Sequence, residues 1–353
     1  MRAHALLEFV VVVVLCVLSG DLECGHALSA PERRGQALYA RMCAVCHGRE
    51  GAGYAADEAP ALSNPDLLAS VSNEYLRKAI TDGRRDTTMS AWSAGRSGPL
   101  LREDIDGIVA YLRSWQEGPP AVLDESPLSG NAARGGEIFA RECVRCHGAQ
   151  GTGGPEEHIG NPELLASASN GFLRYAIRRG RPGTKMPAFE RTIGESGVED
   201  VVAQLRSWQS SAPVAAYRAA APARIPLGPT PLNPNGPEPV GFHVYPEMTS
   251  VDVVKAALDR GARFGILDAR APSDYLLGHI AGAVSVPFYD PDPYFASLPK
   301  NAWLVCYCAC PHAESGQLAS KLAKNGFTEV TVLDEGFNVW RTRNYPTRVG
   351  ADP

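Results

Sequence analysis

One twenty-residue stretch occurs twice in this chain: RGQALYARMCAVCHGREGAG from residue 34 and RGGEIFARECVRCHGAQGTG from residue 134, an offset of 100. The match continues as NPDLLASVSNEYLRKAITDGRR against NPELLASASNGFLRYAIRRGRP at an offset of 97, and LRSWQ recurs at 112 and 205, an offset of 93. Self-similarity of this kind requires two copies of one supersecondary unit. The shrinking offset places two extra loop segments in the first copy, between Gly48 and Asn64 and between Met89 and Leu112. Three stretches per copy read as helix: a short one entering the cysteine motif, one around Leu76 to Asp82 or Leu173 to Arg179, and one around Ile105 to Trp115 or Val198 to Trp208. In the last, Ile105, Ile108, Val109 and Leu112 recur at helical spacing, and little in either copy alternates as a strand does. Both units are expected to be small and all-helical, with Trp115 and Trp208 as core aromatics.

At 353 residues the chain has room for further domains. Nine prolines between 213 and 246, among many alanines, mark residues 212–240 as an extended, semi-rigid spacer. Beyond it FGILDAR, AVSVPF, AWLVCYC and TEVTVLD are short β-rich runs, and SGQLASKLAKNG between two of them is a helix stopping at Gly326. Such alternation predicts an α/β domain with a mainly parallel sheet. The expected organisation is a leader at 1–29, helical units at 30–118 and 130–211, the spacer at 212–240 and the α/β domain at 241–348.

The chain opens MRAHALLEFVVVVVLCVLSG, a basic start followed by an apolar run and small residues, which reads as a secretory signal. The run from Phe9 to Leu18 falls short of the roughly 20 residues a bilayer span needs, so no stable membrane span is expected. Export, to a periplasm or its equivalent, is the expectation, with tethering only if this segment is retained. A net charge of −5 and a pI near 5.9 exclude the basic surface of a nucleic-acid binder. Losing Cys16 and Cys24 with the leader leaves seven of nine cysteines, an odd number at spacings that do not suit a disulfide framework.

Four of the seven form CAVCH (Cys43, Cys46, His47) and CVRCH (Cys143, Cys146, His147), the Cys-x-x-Cys-His spacing of covalent haem c attachment. A dithiol or half a zinc site also uses Cys-x-x-Cys, but two copies with His directly after, inside a repeat, favour two haem c groups. A further axial ligand is found by elimination among five methionines. Met1 lies in the leader, Met42 abuts the motif and Met248 lies beyond the spacer. Met89 and Met186 remain, at matching positions in TTMSAW and TKMPAF; His158 is an outside candidate in the second unit alone.

With these residues the repeat resembles the class I c-type cytochromes, and the tandem resembles their diheme members. The resemblance implies His/Met ligation, a raised reduction potential, electron transfer and redox partner proteins. One departure is Ser90, which stands where the second copy has Pro187 and makes the Met89 loop less stiff.

The C-terminal stretches LDARAPSDYLLGHIAGAVSVPF and WLVCYCACPHAESGQLASKLAKNGFTEVTVLDEGFNVW resemble the two halves of a rhodanese domain. The resemblance implies that Cys308 is a nucleophile carrying sulfane sulfur as a persulfide, its thiolate stabilised by the N-terminus of the following helix. The loop is one residue longer than in common single-domain members and lacks their Arg or Lys; His312 is its single cation candidate and Glu314 is acidic. Thiosulfate thus finds less compensating charge than usual, and persulfide, polysulfide or protein-bound sulfur stand equally as small sulfur donors or acceptors. Cys310 is either a resolving thiol, closing a disulfide on Cys308 with release of sulfide, or a packed residue; Cys306 belongs to the strand core. Convergence of Cys306, Cys308, Cys310 and His312 on a metal is disfavoured because zinc sites take two separated pairs. Two readings follow: a diheme cytochrome linked to sulfurtransferase or sulfur-linked oxidoreductase chemistry, or a plain electron carrier whose α/β module binds sulfur species or a partner without turnover.

Overall fold

The computed structural model describes residues 27–56, 59–209, 225, 227, 230, 233–309 and 312–353. Most of the expected leader, and Cys310, lie outside the described residues. The first helical unit contains α1 (Ala30–Met42), α2 (Ala44–His47), α3 (Pro65–Ser70), α4 (Asn73–Asp82) and α5 (Arg102–Arg113). The second repeats them as α6 (Ala132–Glu142), α7 (Val144–His147), α8 (Pro162–Ser167), α9 (Asn170–Arg179) and α10 (Glu190–Ser207). Each unit therefore has two short helices beyond the three expected. One is the cysteine motif itself. The other, α3 or α8, carried a sequence signal in NP: Asn64 and Asn161 are N-caps and the following proline occupies the first turn.

The first and last helices of each unit cross at matched glycines. A Cβ on Gly35 would lie 2.0 Å from the Gly107 carbonyl oxygen, and one on Gly135 1.9 Å from that of Asp200. No larger residue permits that approach. The LRSWQ arginine closes the other side. Arg113 donates to Asn73 and to the carbonyls of Leu68 and Val71, and Arg206 makes the same three contacts with Asn170, Leu165 and Ala168. Trp115 and Trp208, half-buried, pack edge-to-face on Tyr39 and Phe139 respectively.

The two units meet through reciprocal contacts. Asn64 Nδ2 donates to the Pro182 carbonyl (2.8 Å) and Asn161 Nδ2 to the Arg85 carbonyl (2.9 Å), equivalent bonds at the offset of 97. Between them the rings of Tyr75 and Phe172, also equivalent, lie 5.1 Å apart. Such self-complementary pairing is the signature of a two-fold related interface.

The α/β domain contains β1 (Met248–Thr249), α11 (Val251–Asp259), β2 (Phe264–Asp268), α12 (Pro272–Leu277), β3 (His279–Ile280), β4 (Ala283–Ser285), β5 (Trp303–Tyr307), α13 (Ala313–Lys324), β6 (Val330–Leu333), α14 (Gly336–Thr342) and β7 (Thr347–Arg348). Five parallel strands run in the order β1-β6-β5-β2-β4, with β3 and β7 as an antiparallel ribbon. The expected strands and helix are all present, the helix capped at Asn325 before Gly326. Alternate strand residues serve opposite faces: Leu267, Cys306 and Val332 pack under Leu318 and Leu322 of α13, while Ile266, Val305 and Leu333 meet α11 and α14. Both faces being covered explains why the strands read as continuous apolar runs. The end of the Pro-rich segment is pinned to this domain rather than held away from it: Arg263 N–H donates to the Pro237 carbonyl and its guanidinium pairs with Glu238.

The domain also docks on the first helical unit. Ser90 Oγ donates to Asp274 (2.5 Å), Ser273 Oγ donates to the Ala91 carbonyl (2.7 Å), Arg41 donates to the Tyr289 carbonyl (3.0 Å), and Trp92 packs on Tyr289. Helix α2 packs against α13.

Because Asn64 Oδ1 caps α3 while its Nδ2 bridges the units, the roles separate by substitution. Asn64→Asp is expected to keep the cap and lose the bridge, destabilising the chain by about 1–3 kcal/mol; Asn64→Ala should cost about 1 kcal/mol more. Guanidinium melts in which Asn64→Asp matches wild type would contradict the bridging role.

Candidate functional site

The cysteine motif forms one helical turn in each unit, with the first cysteine at its N-cap and the second cysteine and the histidine within the four-residue helix. His47 and His147 are buried, and each Nδ1 meets a backbone carbonyl, Pro60 at 3.0 Å and Glu157 at 2.8 Å. That contact fixes the ring and leaves Nε2 as the nitrogen that could coordinate a metal. Burial pushes the Cys43 thiol up to about 12 and the Cys143 thiol to about 11.

In the second unit Cys143, Cys146, His147 and Met186 line one largely apolar cavity, walled by Phe139, Leu164, Phe172 and Leu173, with Tyr75 and Leu67 of the first unit completing it. This donor set and apolar lining fit a covalently held haem c.

Met89 and Met186 sit in identical turns. Arg84 N–H donates to the Met89 carbonyl, Thr87 Oγ1 to the Arg84 carbonyl, and Met89 N–H to Thr87 Oγ1; Arg181, Thr184 and Met186 repeat all three bonds. Gly83 and Gly180 hold positive φ against these turns, where a Cβ would lie 2.5 Å from the methionine carbonyl oxygen. His158 instead accepts from Gly153 N–H at 3.3 Å. The Met89 loop is not left slack by Ser90: that hydroxyl, buried, is the one bonded to Asp274, so the α/β domain supplies the restraint that Pro187 supplies in the second unit.

The second candidate site lies where the sheet reverses winding. From β2 the chain moves outward to β4 and then returns to β5 on the other side, which opens a crevice at the C-terminal ends of β2 and β5. Its β2 wall is fixed by a buried pair: Arg270 donates to both Asp268 oxygens (2.9 and 2.6 Å) and lies over the Phe337 ring at 4.3 Å. Tyr307 Oη donates to Asp268 at 2.6 Å and accepts from Ile280 N–H. His279 stacks on Tyr275 and bonds its carbonyl, so the Gly-His-Ile stretch is structural.

Cys308 follows β5 directly and is fully buried, its Sγ 3.3 Å from Ser315 Oγ in the first turn of α13; its carbonyl accepts from Phe337 N–H. Cys306 lies in the core, where burial pushes its thiol well up. His312 does not face the sulfur: its Nε2 meets Asp334 at 2.8 Å, and its left-handed backbone (φ 82) turns the chain into α13.

Glu314 is the residue whose place sequence reasoning missed. Buried and beside Cys308, its carboxyl is held well above the usual carboxylate range by desolvation, then by the charges of Cys308 and Asp274; Arg270 opposes this. Asp274 is likewise raised by burial, with Arg270 and the Ser90 bond opposing. Only the apolar residues that follow in α13 hinted that Glu314 faces inward. Among the described residues no cluster of His, Cys, Asp or Glu gathers to hold a metal, and no helix is long and apolar enough to cross a membrane.

The family model of the cbb3-type cytochrome c oxidase subunit III matches residues 30–112 and 130–204, and that of the rhodanese-like domain matches 250–343. The FixP subunit of cbb3-type cytochrome c oxidase from Bradyrhizobium diazoefficiens is 30% identical over 198 residues, covering 53% of this chain and 64% of that one. The cytochrome c subunit of the Mycobacterium tuberculosis cytochrome bc1 complex is 28% identical over 187 residues, covering 50% and 64%. The rhodanese-like domain of the Anabaena sp. protein Alr3790 is 33% identical, covering 29% of this chain and 78% of that one at a TM-score of 0.27. The chain spans less than two thirds of the length of these curated relatives. Taken with the folds, these matches show two cytochrome c segments, which imply covalently bound haem c, joined to a C-terminal rhodanese-like domain.

Proposed function

We propose that this protein is an exported diheme cytochrome whose electron transfer is linked to sulfane-sulfur chemistry at Cys308. Cys43, Cys46, His47 and Met89 would hold one haem, and Cys143, Cys146, His147 and Met186 the other. Bound there, haem c supplies reversible one-electron chemistry, and His/Met ligation raises its potential. The relatives' places in respiratory complexes suggest protein redox partners.

The observation that carries the link is the direct packing of α2, the first attachment motif, on α13, the helix that starts at the Cys308 loop. The sulfur step needs a thiolate. Cys308 attacks the outer sulfur of a donor R–S–SH; the new S–S bond gives Cys308–S–SH as the donor bond breaks and R–S⁻ leaves. Ser315 and the first-turn N–H groups of α13 stabilise the anionic sulfur. Glu314, kept protonated, stands as a proton donor beside it. Cys310 would provide a second thiol for resolving the persulfide, and His312 positions the loop through Asp334. Complete burial of Cys308 and the nearby carboxyl favour the second reading, an electron carrier whose rhodanese module binds without turnover.

Polysulfide added anaerobically to the oxidised protein is expected to reduce the haem, with the rate falling about tenfold or more in Cys308→Ser, ~1.4 kcal/mol in the barrier. Equal rates in the two proteins would sink the link and leave the carrier reading.

A pH dependence follows from Glu314. Its folded pKa is raised above 4.5, so the folded state binds the extra proton, and stability falls as pH rises from the carboxylate range through the folded value. The groups facing it are Cys308, Asp274, Asp268, Arg270 and Tyr289. Glu314→Gln should raise the unfolding midpoint of the chain at about pH 8 and change it little at about pH 4. A variant that is destabilised at both pH values would contradict a protonated Glu314.

A further inference from the structure

The two cytochrome units differ where they meet. Tyr75 and Phe172 are equivalent, and each carries an arginine of its own unit over its ring, Arg84 at 5.7 Å and Arg181 at 5.3 Å. Each guanidinium also donates to the carbonyl of the preceding glycine, Gly83 at 3.0 Å and Gly180 at 3.1 Å. The likeness ends at the ring substituent. The Tyr75 hydroxyl accepts from Arg84, whereas Phe172 has no hydroxyl to offer Arg181. An arginine has five N–H donors, and among the described residues the Gly180 carbonyl is what meets those of Arg181.

Arg181 lines the second cavity together with Phe172, His147 and Met186, and burial holds its guanidinium below the ordinary arginine value. The acidic groups around it are engaged elsewhere or stand off. Glu156 pairs with Lys185 (2.9 Å), Glu142 with Arg141 (2.7 Å), and Asp66 accepts from Tyr175 (2.7 Å) with Arg179 at 3.6 Å. Glu157 is the opposite charge that acts on Arg181 most, yet no salt bridge joins the two. Arg181 therefore forms no ion pair among the described residues. Withdrawing an unpaired cation from water is costly, so a guanidinium in this position calls for an anion from outside the chain.

The cavity specifies the kind of anion. Its lining is otherwise largely apolar, with Leu67, Leu164, Leu173 and Ile177. An inorganic anion would leave that surface unfilled, and a wholly apolar molecule would leave the guanidinium unpaired. Haem has an apolar macrocycle with two propionate carboxylates on one edge, and arginine is the side chain best shaped to pair with a carboxylate.

Resting on the haem reading above and deepening it, we infer that Arg181 is the counter-cation of a propionate carboxylate of the haem at the second site, which turns the carboxylate edge toward the junction of the two units. Arg181 then tunes as well as holds that haem. A cation beside the macrocycle disfavours the extra positive charge of the ferric state and raises the reduction potential. At the first site the equivalent Arg84 shares its donors with the Tyr75 hydroxyl, so the two haems are unequal.

The test is a spectroelectrochemical titration of the haem-loaded full chain, after a pyridine haemochrome assay has counted its haems. Cys143→Ala combined with Cys146→Ala identifies the second site's midpoint as the one that disappears; an unchanged haem count in that variant refutes the haem reading itself. Arg181→Gln and Arg181→Met, the latter keeping an apolar chain on Phe172, should each lower that midpoint by the equivalent of about tenfold in the reduction equilibrium, ~59 mV for one electron. Both should also shift the propionate bending band in the resonance Raman spectrum, and Arg181→Lys should recover most of each effect. The methionine-to-iron charge-transfer band should persist throughout, because the bond that holds the Met186 turn is donated by the Arg181 backbone N–H. Unchanged midpoints in an Arg181→Gln chain carrying two haems, loss of that band in step with the fall in potential, or no recovery with lysine each overturns the inference and leaves the haem reading standing.

Discussion

Two hydroxyl bonds, Ser90 to Asp274 and Ser273 to the Ala91 carbonyl, fix the relation between the cytochrome part and the rhodanese-like part. They join the loop carrying Met89 to the helix that walls the crevice beside Cys308. A serine at position 90 makes a loop that proline would have stiffened alone dependent on its neighbour. The restraint is thus tertiary for Met89 in the first unit and local for Met186 in the second, and the two candidate sites differ in what holds one candidate ligand. Hydrogen bonds to buried carboxyl groups of this kind contribute on the order of 1–3 kcal/mol and, unlike an exposed ion pair, are little weakened by salt.

The repeat, the attachment motifs and the α/β alternation were legible because each depends on spacing alone. A 3.6-residue or 2-residue period survives in one dimension, and so does Cys-x-x-Cys-His. The short helices α3 and α8 were also present in the sequence, in an Asn-Pro pair, but Asn-Pro equally marks a turn, and only the following PDLLAS settles it as a cap. What could not be read was anything that depends on two distant segments meeting. Gly35 and Gly107, Asn64 and Pro182, Arg113 and Leu68 are each unremarkable in isolation, yet their contacts set how the helices cross and how the units pair. Ser90 shows the limit most clearly. Comparison of the two copies flagged it, and the inference drawn was local slackness, because the partner carboxylate lies 184 residues away.

Around Cys308 the same limit concealed the electrostatics. Read along the chain, the loop lacks a cation and contains an acid, which looks like a poor place for a thiolate. In the fold, Glu314 is buried with its carboxyl held well above the usual carboxylate range, Asp268 is paired with Arg270 and accepts from Tyr307, and Asp274 is bonded to Ser90. The sulfur lies 3.3 Å from Ser315 Oγ, with each neighbouring carboxyl either raised by burial or engaged by a partner.

The lack of an Arg or Lys in this loop has a physical rationale. A guanidinium inside the loop would meet Glu314 first. Opposite charge within about 4–6 Å pulls a carboxyl toward its ionised form, so the cation would be consumed in an ion pair and the acid would lose its proton. The net charge beside the sulfur would not change, and a proton donor would be gone. The Ser90 and Ser273 bonds hold the Met89 loop against the helix that carries Asp274, and Asp274 is one of the charges that raises Glu314. Docking of the two domains therefore bears on the electrostatics around Cys308, because the rhodanese-like domain taken alone would keep its cysteine and its acid and lose the hydroxyl that holds Asp274.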